Sequence, residues 1–180
     1  MKGIVFTSFI SFLENELGLI ETESIIIKAD LNSACAYTTV GSYDFKELLH
    51  LILLSSQSFK ITPKHVSQRF GSYLFTTLTS SSPQYVKNKH SCFELFETIN
   101  NVIHMEVKSI YPETTPPRVH FKRISSSAAT LHYQSHRCLG DVMYGVIEGA
   151  GNYFNEKLLI ERNRLNKKGS EEVFTVIILQ

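Results

Sequence analysis

His104 lies in a stretch, Ser91 to Ile110, where Phe93, Phe96, Ile99, Ile103, Val107 and Ile110 recur as one apolar stripe. At about 100° per residue it falls at the stripe's edge, nearly in line with Phe93, so its imidazole faces inward or nearly so. An inward imidazole can ligate a metal or a haem iron, although such a histidine taken alone is most often a boundary residue with one hydrogen bond. Tyr133-x-Ser135-x-Arg137 is the second group. On a strand, alternation would set a phenol, a hydroxyl and a guanidinium in a row on one face. Such a row is a receptor for carboxylates, Arg gripping one bidentately while Tyr and Ser satisfy another; the bland reading is a solvated strand face.

Two further constellations carry less. His132, His136 and Cys138 share the opposite face and invite a zinc reading, but strand residues four apart are separated by about 13 Å, too far for one metal. A hydrolase built from Ser135, His104 and Asp141 lacks any Gly-x-Ser-x-Gly elbow.

The elements that must position these groups are legible in outline. Ile4, Val5, Phe9, Phe12 and Leu13 recur at helical spacing, Gly18 stops that helix, and a second apolar stretch runs from Leu19 to about Ala29. Residues 30–43 read as a loop. Asp44 and Glu47 have the spacing of a capping box for a helix through about Ser58, and Thr62-Pro63 opens another that carries Val66, Phe70, Tyr73, Leu74 and Leu78. Ser80-Ser81-Ser82-Pro83 ends it. The Ser91 helix ends at Pro112, after which Pro116 and Pro117 impose extended backbone. Two strands follow, Val119, Phe121 and Arg123 alternating on one and Leu131 through Arg137 on the other, joined at Ser125-Ser126-Ser127. A helix through Val142 and Phe154 carries Gly145 and Gly149, whose spacing predicts close approach of another surface. Lys157 to about Leu165 and Val173 to Leu179 read as a terminal hairpin.

Composition bounds the function classes. The chain has 180 residues, 43% hydrophobic and 19% charged, with 18 Lys+Arg against 17 Asp+Glu. That is enough apolar content for a core, and one domain over 1–180 is expected, helical to about 112 and sheet-containing from about 113. A net charge of +1 gives no electrostatic footprint for nucleic acid. The longest apolar runs fall far short of the roughly 18 residues of a membrane span, and Glu14 and Glu16 interrupt the N-terminus before any cleavage site, so a cytoplasmic protein is expected. Three cysteines, Cys35, Cys92 and Cys138, are odd in number and widely spaced, which argues against a disulfide framework; each is expected to be a buried or half-buried apolar residue.

Taken together, these pieces resemble a known family. Met1-Lys2-Gly3-Ile4-Val5-Phe6, Phe70-Gly71-x-Tyr73-Leu74-Phe75, Ile103-His104-x-Glu106-Val107 with Tyr111-Pro112, Pro116-Pro117-Arg118, Tyr133-x-Ser135-x-Arg137 and Gly145-x-Ile147-x-Gly149 fall in the order and spacing of the H-NOX (haem-nitric oxide/oxygen binding) domains. These are related to the haem domain of soluble guanylate cyclase, and the resemblance spans essentially the whole chain. It implies an α+β fold, a helical N-terminal part packed on a C-terminal antiparallel sheet with helices, with haem b between them. By position, His104 matches the proximal iron ligand. Tyr133, Ser135 and Arg137 match the triad on the haem propionates, Pro117 the proline that distorts the porphyrin, and Val5, Phe9, Leu74, Val142 and Val146 the pocket positions. Some bacterial members carry a cysteine-rich zinc site after the triad; only Cys138 lies there in this chain, so no zinc is expected.

The resemblance also implies a function. With the sequence ending at Gln180, no effector domain is expected, and the resemblance is to stand-alone bacterial sensors that act on a histidine kinase or on a diguanylate cyclase or phosphodiesterase of cyclic-di-GMP. Oxygen-binding members place a tyrosine in the distal pocket; the matching position is Val142, while Tyr144 lies about 200° around the helix and should point away. The expectation is a non-enzymatic sensor that binds NO and CO, excludes O₂, and signals when NO weakens or breaks the bond to His104. An O₂ sensor, a peroxidase-like haem enzyme on the same scaffold, and a haem-free interaction domain are the alternatives.

Overall fold

The computed structural model describes residues 1–99, 102 and 104–179. Four helices come first: α1 (Gly3–Leu17), α2 (Leu19–Ala29), α3 (Phe45–Phe59) and α4 (Pro63–Ser81). Each boundary has a local cause. The first free amides of α1 are taken by the loop before α3, Gly3 N–H donating to Gly41 O at 2.8 Å and Ile4 N–H to Thr39 O at 3.0 Å. Gly18, at φ 81°, ends α1. Asp44 caps α3 by accepting from the Lys46 amide, and Thr62 caps α4 with Pro63 in its first turn. The capping box expected at Glu47 does not form. That carboxylate accepts from the Ser33 hydroxyl at 2.6 Å and the Tyr37 phenol at 2.8 Å, and so ties down the loop instead.

Two short helices follow, α5 (Cys92–Thr98), capped by Ser91, and α6 (His104–Ile110). The single helix expected from Ser91 to Ile110 is therefore divided. Ile99 and Val102 have π-helical backbone, and a wider turn shifts the phase of everything after it. Ile110 accordingly leaves the predicted stripe and is 68% exposed. Ile103, also assigned to that stripe, lies outside the described residues.

The C-terminal part comprises β1 (Arg118–Arg123), β2 (Ala128–Gln134), α7 (Gly140–Tyr153), β3 (Lys157–Arg164) and β4 (Glu171–Leu179), the strands forming one antiparallel sheet in the order β1-β2-β4-β3. The two expected hairpins thus join edge to edge. β2 stops at Gln134, three residues short of the predicted end at Arg137. Gln134 pairs with Arg118, and the next position on that strand is Pro117, which has no N–H to continue the ladder.

The apolar side chains form two clusters. Phe6, Phe9, Phe12, Leu13, Leu48, Leu51 and Phe70 fill the one among α1–α4, and Phe93, Phe96, Val119, Leu131, Phe174 and Val176 fill the one between the sheet, α5 and α7. Fully burying each such ring or branched chain stabilises the fold by about 1.5–3 kcal/mol. Helix α7 belongs to both clusters, Val142 packing with the first and Met143, Ile147 and Ala150 with the second. It crosses α4 closely, as its glycine spacing predicts. A Cβ on Gly145 would lie 1.8 Å from the Gln68 carbonyl oxygen, and one on Gly71 would lie 2.1 Å from that of Val142. Both glycines are there because two backbones touch. No helix among the described residues is long and apolar enough to cross a membrane.

Candidate functional site: a histidine and an arginine with unpaired nitrogens

Helix α6 begins at His104, and its ring is turned inward as the sequence predicts. Nδ1 is buried and has no hydrogen-bond partner among the described residues. Burial pushes the imidazole down to about 4, so it is neutral near pH 7 and one of its nitrogens carries a free lone pair. A neutral imidazole with an unsatisfied nitrogen is suited to a metal.

The Tyr133–Arg137 group is arranged differently from the predicted row. Only Tyr133 is on β2, and it is 3% exposed within the sheet cluster. Ser135 lies in the turn beyond, where its hydroxyl accepts from the Arg137 amide at 3.2 Å and its carbonyl accepts from the Cys138 amide at 3.2 Å. Cys138 takes a left-handed φ of 54° to complete the turn. Burial raises the Tyr133 phenol, with hydrogen bonding to Ser135 and the Leu139 backbone working against it. The three polar groups still converge, but through a folded turn rather than strand alternation.

Arg137 is held from one side only. Its Nη1 donates to the Thr115 carbonyl at 2.6 Å and its Nη2 to the Thr115 hydroxyl at 3.2 Å, while Nε is buried without a partner. Burial depresses the guanidinium pKa and Tyr133 opposes that. The Met1 amine is also held below its usual value, by burial and then by Arg137, so two cationic groups sense each other here. The place favours an anion. Thr115 stands two residues before Pro117, so the same contact fixes the half-buried proline segment to the turn. Sequence reasoning missed Thr115, and no motif marks it.

The pocket residues divide between the clusters. Phe9, Leu74 and Val142 are buried together with Val5 packed beside them, whereas Val146 packs against the sheet cluster. None of Val5, Phe9, Leu74 or Val142 has a side-chain hydrogen-bond donor. Tyr144 packs with the sheet cluster, away from Val142's companions. A surface cleft of about 700 Å³ between α4, α7 and the start of β3, with Arg69, Ser72, Glu148 and Lys157 in its walls, includes none of the predicted site residues.

The discounted constellations are engaged elsewhere. His132 Nε2 lies 2.8 Å from Glu171, the His136 ring meets Phe45 edge-on, and Asp141 pairs with Arg162. All three cysteines are free thiols; Cys92 is buried and Cys35 half-buried, but Cys138, expected to be at least half-buried, is exposed because the turn lifts it off the sheet.

His104 Nδ1 and Arg137 Nε are the two buried side-chain nitrogen or oxygen atoms that lack a partner among the described residues. Buried polar atoms are ordinarily satisfied, so two exceptions, one a potential metal ligand and the other a cation beside a buried phenol, fit a cofactor that brings both a metal and carboxylates. Haem is such a group. The model of the haem-NO-binding family matches residues 2–162. Among solved structures, the Fe(II) unliganded H-NOX protein from K. algicida is 27% identical, with a TM-score of 0.90 over 100% of this chain and 97% of that one. The H-NOX protein from S. oneidensis in the Fe(II)NO state, 24% identical with a TM-score of 0.90 over 100% of both chains, and its Fe(II)CO form, 23% identical with a TM-score of 0.88 over 100% of this chain and 99% of that one, share the fold. No curated protein sequence matches. The α+β architecture, the two unsatisfied atoms and the family match agree: the chain belongs to the haem-NO-binding, or H-NOX, family of gas-sensor domains.

Proposed function

We propose that this chain binds haem b through His104 and acts as a sensor of nitric oxide, without catalytic turnover, upon a separate effector such as a histidine kinase or a diguanylate cyclase or phosphodiesterase. The observation that carries the reading is the pair of buried atoms without partners, His104 Nδ1 and Arg137 Nε. Bound ferrous haem would supply an iron with an open position for a diatomic gas. His104 would hold the iron; Arg137, with Ser135 and Tyr133, would hold the propionates. Pro117, fixed near Arg137 through Thr115, would press on the porphyrin. Val5, Phe9, Leu74, Val142 and Val146 would exclude water from the pocket.

The choice of gas follows from what those side chains lack. O₂ at a ferrous haem would carry partial negative charge, which an apolar site disfavours unless a side chain there donates a hydrogen bond. Val5, Phe9, Leu74 and Val142 offer none, and Tyr144 lies about 200° around α7 from Val142. NO and CO need no donor. The same absence argues against a peroxidase-like role, which requires a polar acid or base in the pocket. Loss of the hold on His104 would free α6 to shift against the rest of the fold, a two-state element that an effector could read.

Mixing the reduced, haem-loaded protein with NO, CO and air, and recording each absorption spectrum, tests the reading. NO and CO complexes with no persistent oxygenated form in air are expected. A persistent oxygenated spectrum would overturn NO sensing in favour of O₂ sensing, steady peroxide turnover would favour an enzyme, and no haem uptake would leave an interaction domain.

A further inference from the structure

Glu172 on β4 is 1% exposed, the one charged side chain that is buried among those whose burial is described. A carboxylate withdrawn from water requires cations at hydrogen-bond distance. Arg162, on neighbouring β3, supplies them: its Nη2 donates to Glu172 Oε1 at 2.8 Å and its Nε donates to Oε2. The same guanidinium turns its Nη1 to Asp141, in the first turn of α7. Arg164 closes the ring from outside, with its Nε 3.5 Å from Glu172 and its Nη2 3.9 Å from Asp141. Two cations thus balance two anions. The backbone of α7 rests directly on this cluster, since a Cβ on Gly140 would lie 2.3 Å from Glu172 Oε2 and 2.5 Å from Arg162 Nη2.

Glu172 is the register partner of Tyr133, and the next residues of both strands stay joined, Ser135 N–H donating to Ser170 O at 2.8 Å. On the other side, Asp141 immediately precedes Val142. The cluster therefore stands between the turn that carries Ser135 and Arg137 and the helix that carries Val142. An apolar pair of equal volume would serve stability about as well as a buried ion pair. What the ion cluster adds is direction, because each guanidinium bond holds its partner at a fixed distance and angle. Direction matters for α7 in particular. Its crossing with α4 brings backbones together at Gly71 and Gly145, and the guanidinium bond to Asp141 adds a directional contact at the helix's first turn.

We propose that Glu172, Arg162 and Asp141 form a positioning network that pins the first turn of α7, and with it Val142, to the Ser135–Arg137 turn, so that the two sides of the cofactor site keep one relative geometry. The inference rests on the haem-binding reading for its functional consequence, and on the ion cluster alone for its mechanical one. Asp141→Ala cuts the link to α7 and leaves the Glu172–Arg162 pair intact. In haem-loaded Asp141→Ala, the C–O stretching band of the ferrous CO complex should shift or broaden, and haem loss to an apomyoglobin scavenger should quicken roughly three- to tenfold. The melting temperature of the haem-free protein should change little. Asp141→Asn, which keeps an acceptor for Arg162, should recover most of the wild-type behaviour. A double variant, Arg162→Met with Glu172→Met, should regain stability while its CO band stays altered. Wild-type CO bands and haem-loss rates in both Asp141→Ala and the double variant would overturn the network. If the wild type takes up no haem, the sensor reading fails by itself, and amide exchange in the haem-free protein decides the network: faster exchange at Val142–Tyr144 in Asp141→Ala supports it, and unchanged exchange overturns it.

Discussion

Replacing Arg137 with Ala tests whether this residue holds the haem propionates. From sequence, a bidentate grip is the natural expectation. The structure sets a minimum instead, because Nη1 and Nη2 each donate one N–H to Thr115 and keep a second, while Nε has no partner at all among the described residues, so at least the Nε bond is at stake. One charge-assisted hydrogen bond contributes about 1.5–3 kcal/mol. At 1.4 kcal/mol per factor of ten, that loss corresponds to roughly tenfold to a hundredfold faster haem release. Haem transfer from the ferric protein to excess apomyoglobin, followed by absorbance, gives the rate directly. Arg137→Lys separates charge from geometry: it keeps the cation but cannot bond Thr115 and a carboxylate in the same plane, so it should fall between wild type and Arg137→Ala. Equal rates in wild type and Arg137→Ala would refute the propionate assignment, whatever the effect on stability. Tyr133→Phe should cost less, since its neutral hydroxyl contributes about 0.5–1.5 kcal/mol.

His104→Gly should leave a proximal vacancy that added imidazole fills, restoring the ferrous spectrum; an unchanged spectrum without imidazole would remove His104 as the ligand. In haem-free protein the His104 imidazole titrates at about 4, below the ordinary value of 6.5. The unfolded chain therefore takes up a proton first as pH falls, so thermal stability should decline from pH 6.5 to about pH 4 and level off below. His104→Leu should flatten that part of the pH–melting curve, and an identical slope in the variant would show that other groups cause it. Gly145→Ala must open the α4–α7 crossing, because its Cβ would begin 1.8 Å from the Gln68 carbonyl oxygen. Overpacking against backbone costs about 1–3 kcal/mol, enough to lower the melting temperature by several degrees despite alanine's better helix propensity, and an unchanged melting temperature would contradict the packing.

What could be read in the sequence follows from how local each cause is. Thr62-Pro63, Asp44 and Gly18 act on amides within a turn of themselves, so letters alone place α1, α3 and α4. Gly145 and Gly149 signalled a close crossing without naming α4 as the partner. The alternation from Leu131 to Arg137 misled because the letters keep period two after the partner strand has ended at Pro117. The division between α5 and α6 was hidden by a stripe that stays apolar while the helical phase changes. Thr115 and Glu172 were invisible for a third reason: an ordinary threonine and an ordinary glutamate acquire their roles only from arginines 22 and 10 residues away.

The α4–α7 crossing has a consequence for how the chain folds as it is made. Gly71 and Gly145 are 74 residues apart (145 − 71), and synthesis proceeds at about 5–20 residues per second. For roughly 4 to 15 seconds, then, the finished α4 has no α7 to cover it, and Phe9, Phe70 and Leu74 lack the Val142 side of their cluster. The first four helices can pack among themselves meanwhile, but their last face closes only when the second half of the chain arrives. Ribosome-bound chains stopped before Val142 should therefore keep that face open to chaperones, and chains extended past Tyr153 should lose this contact.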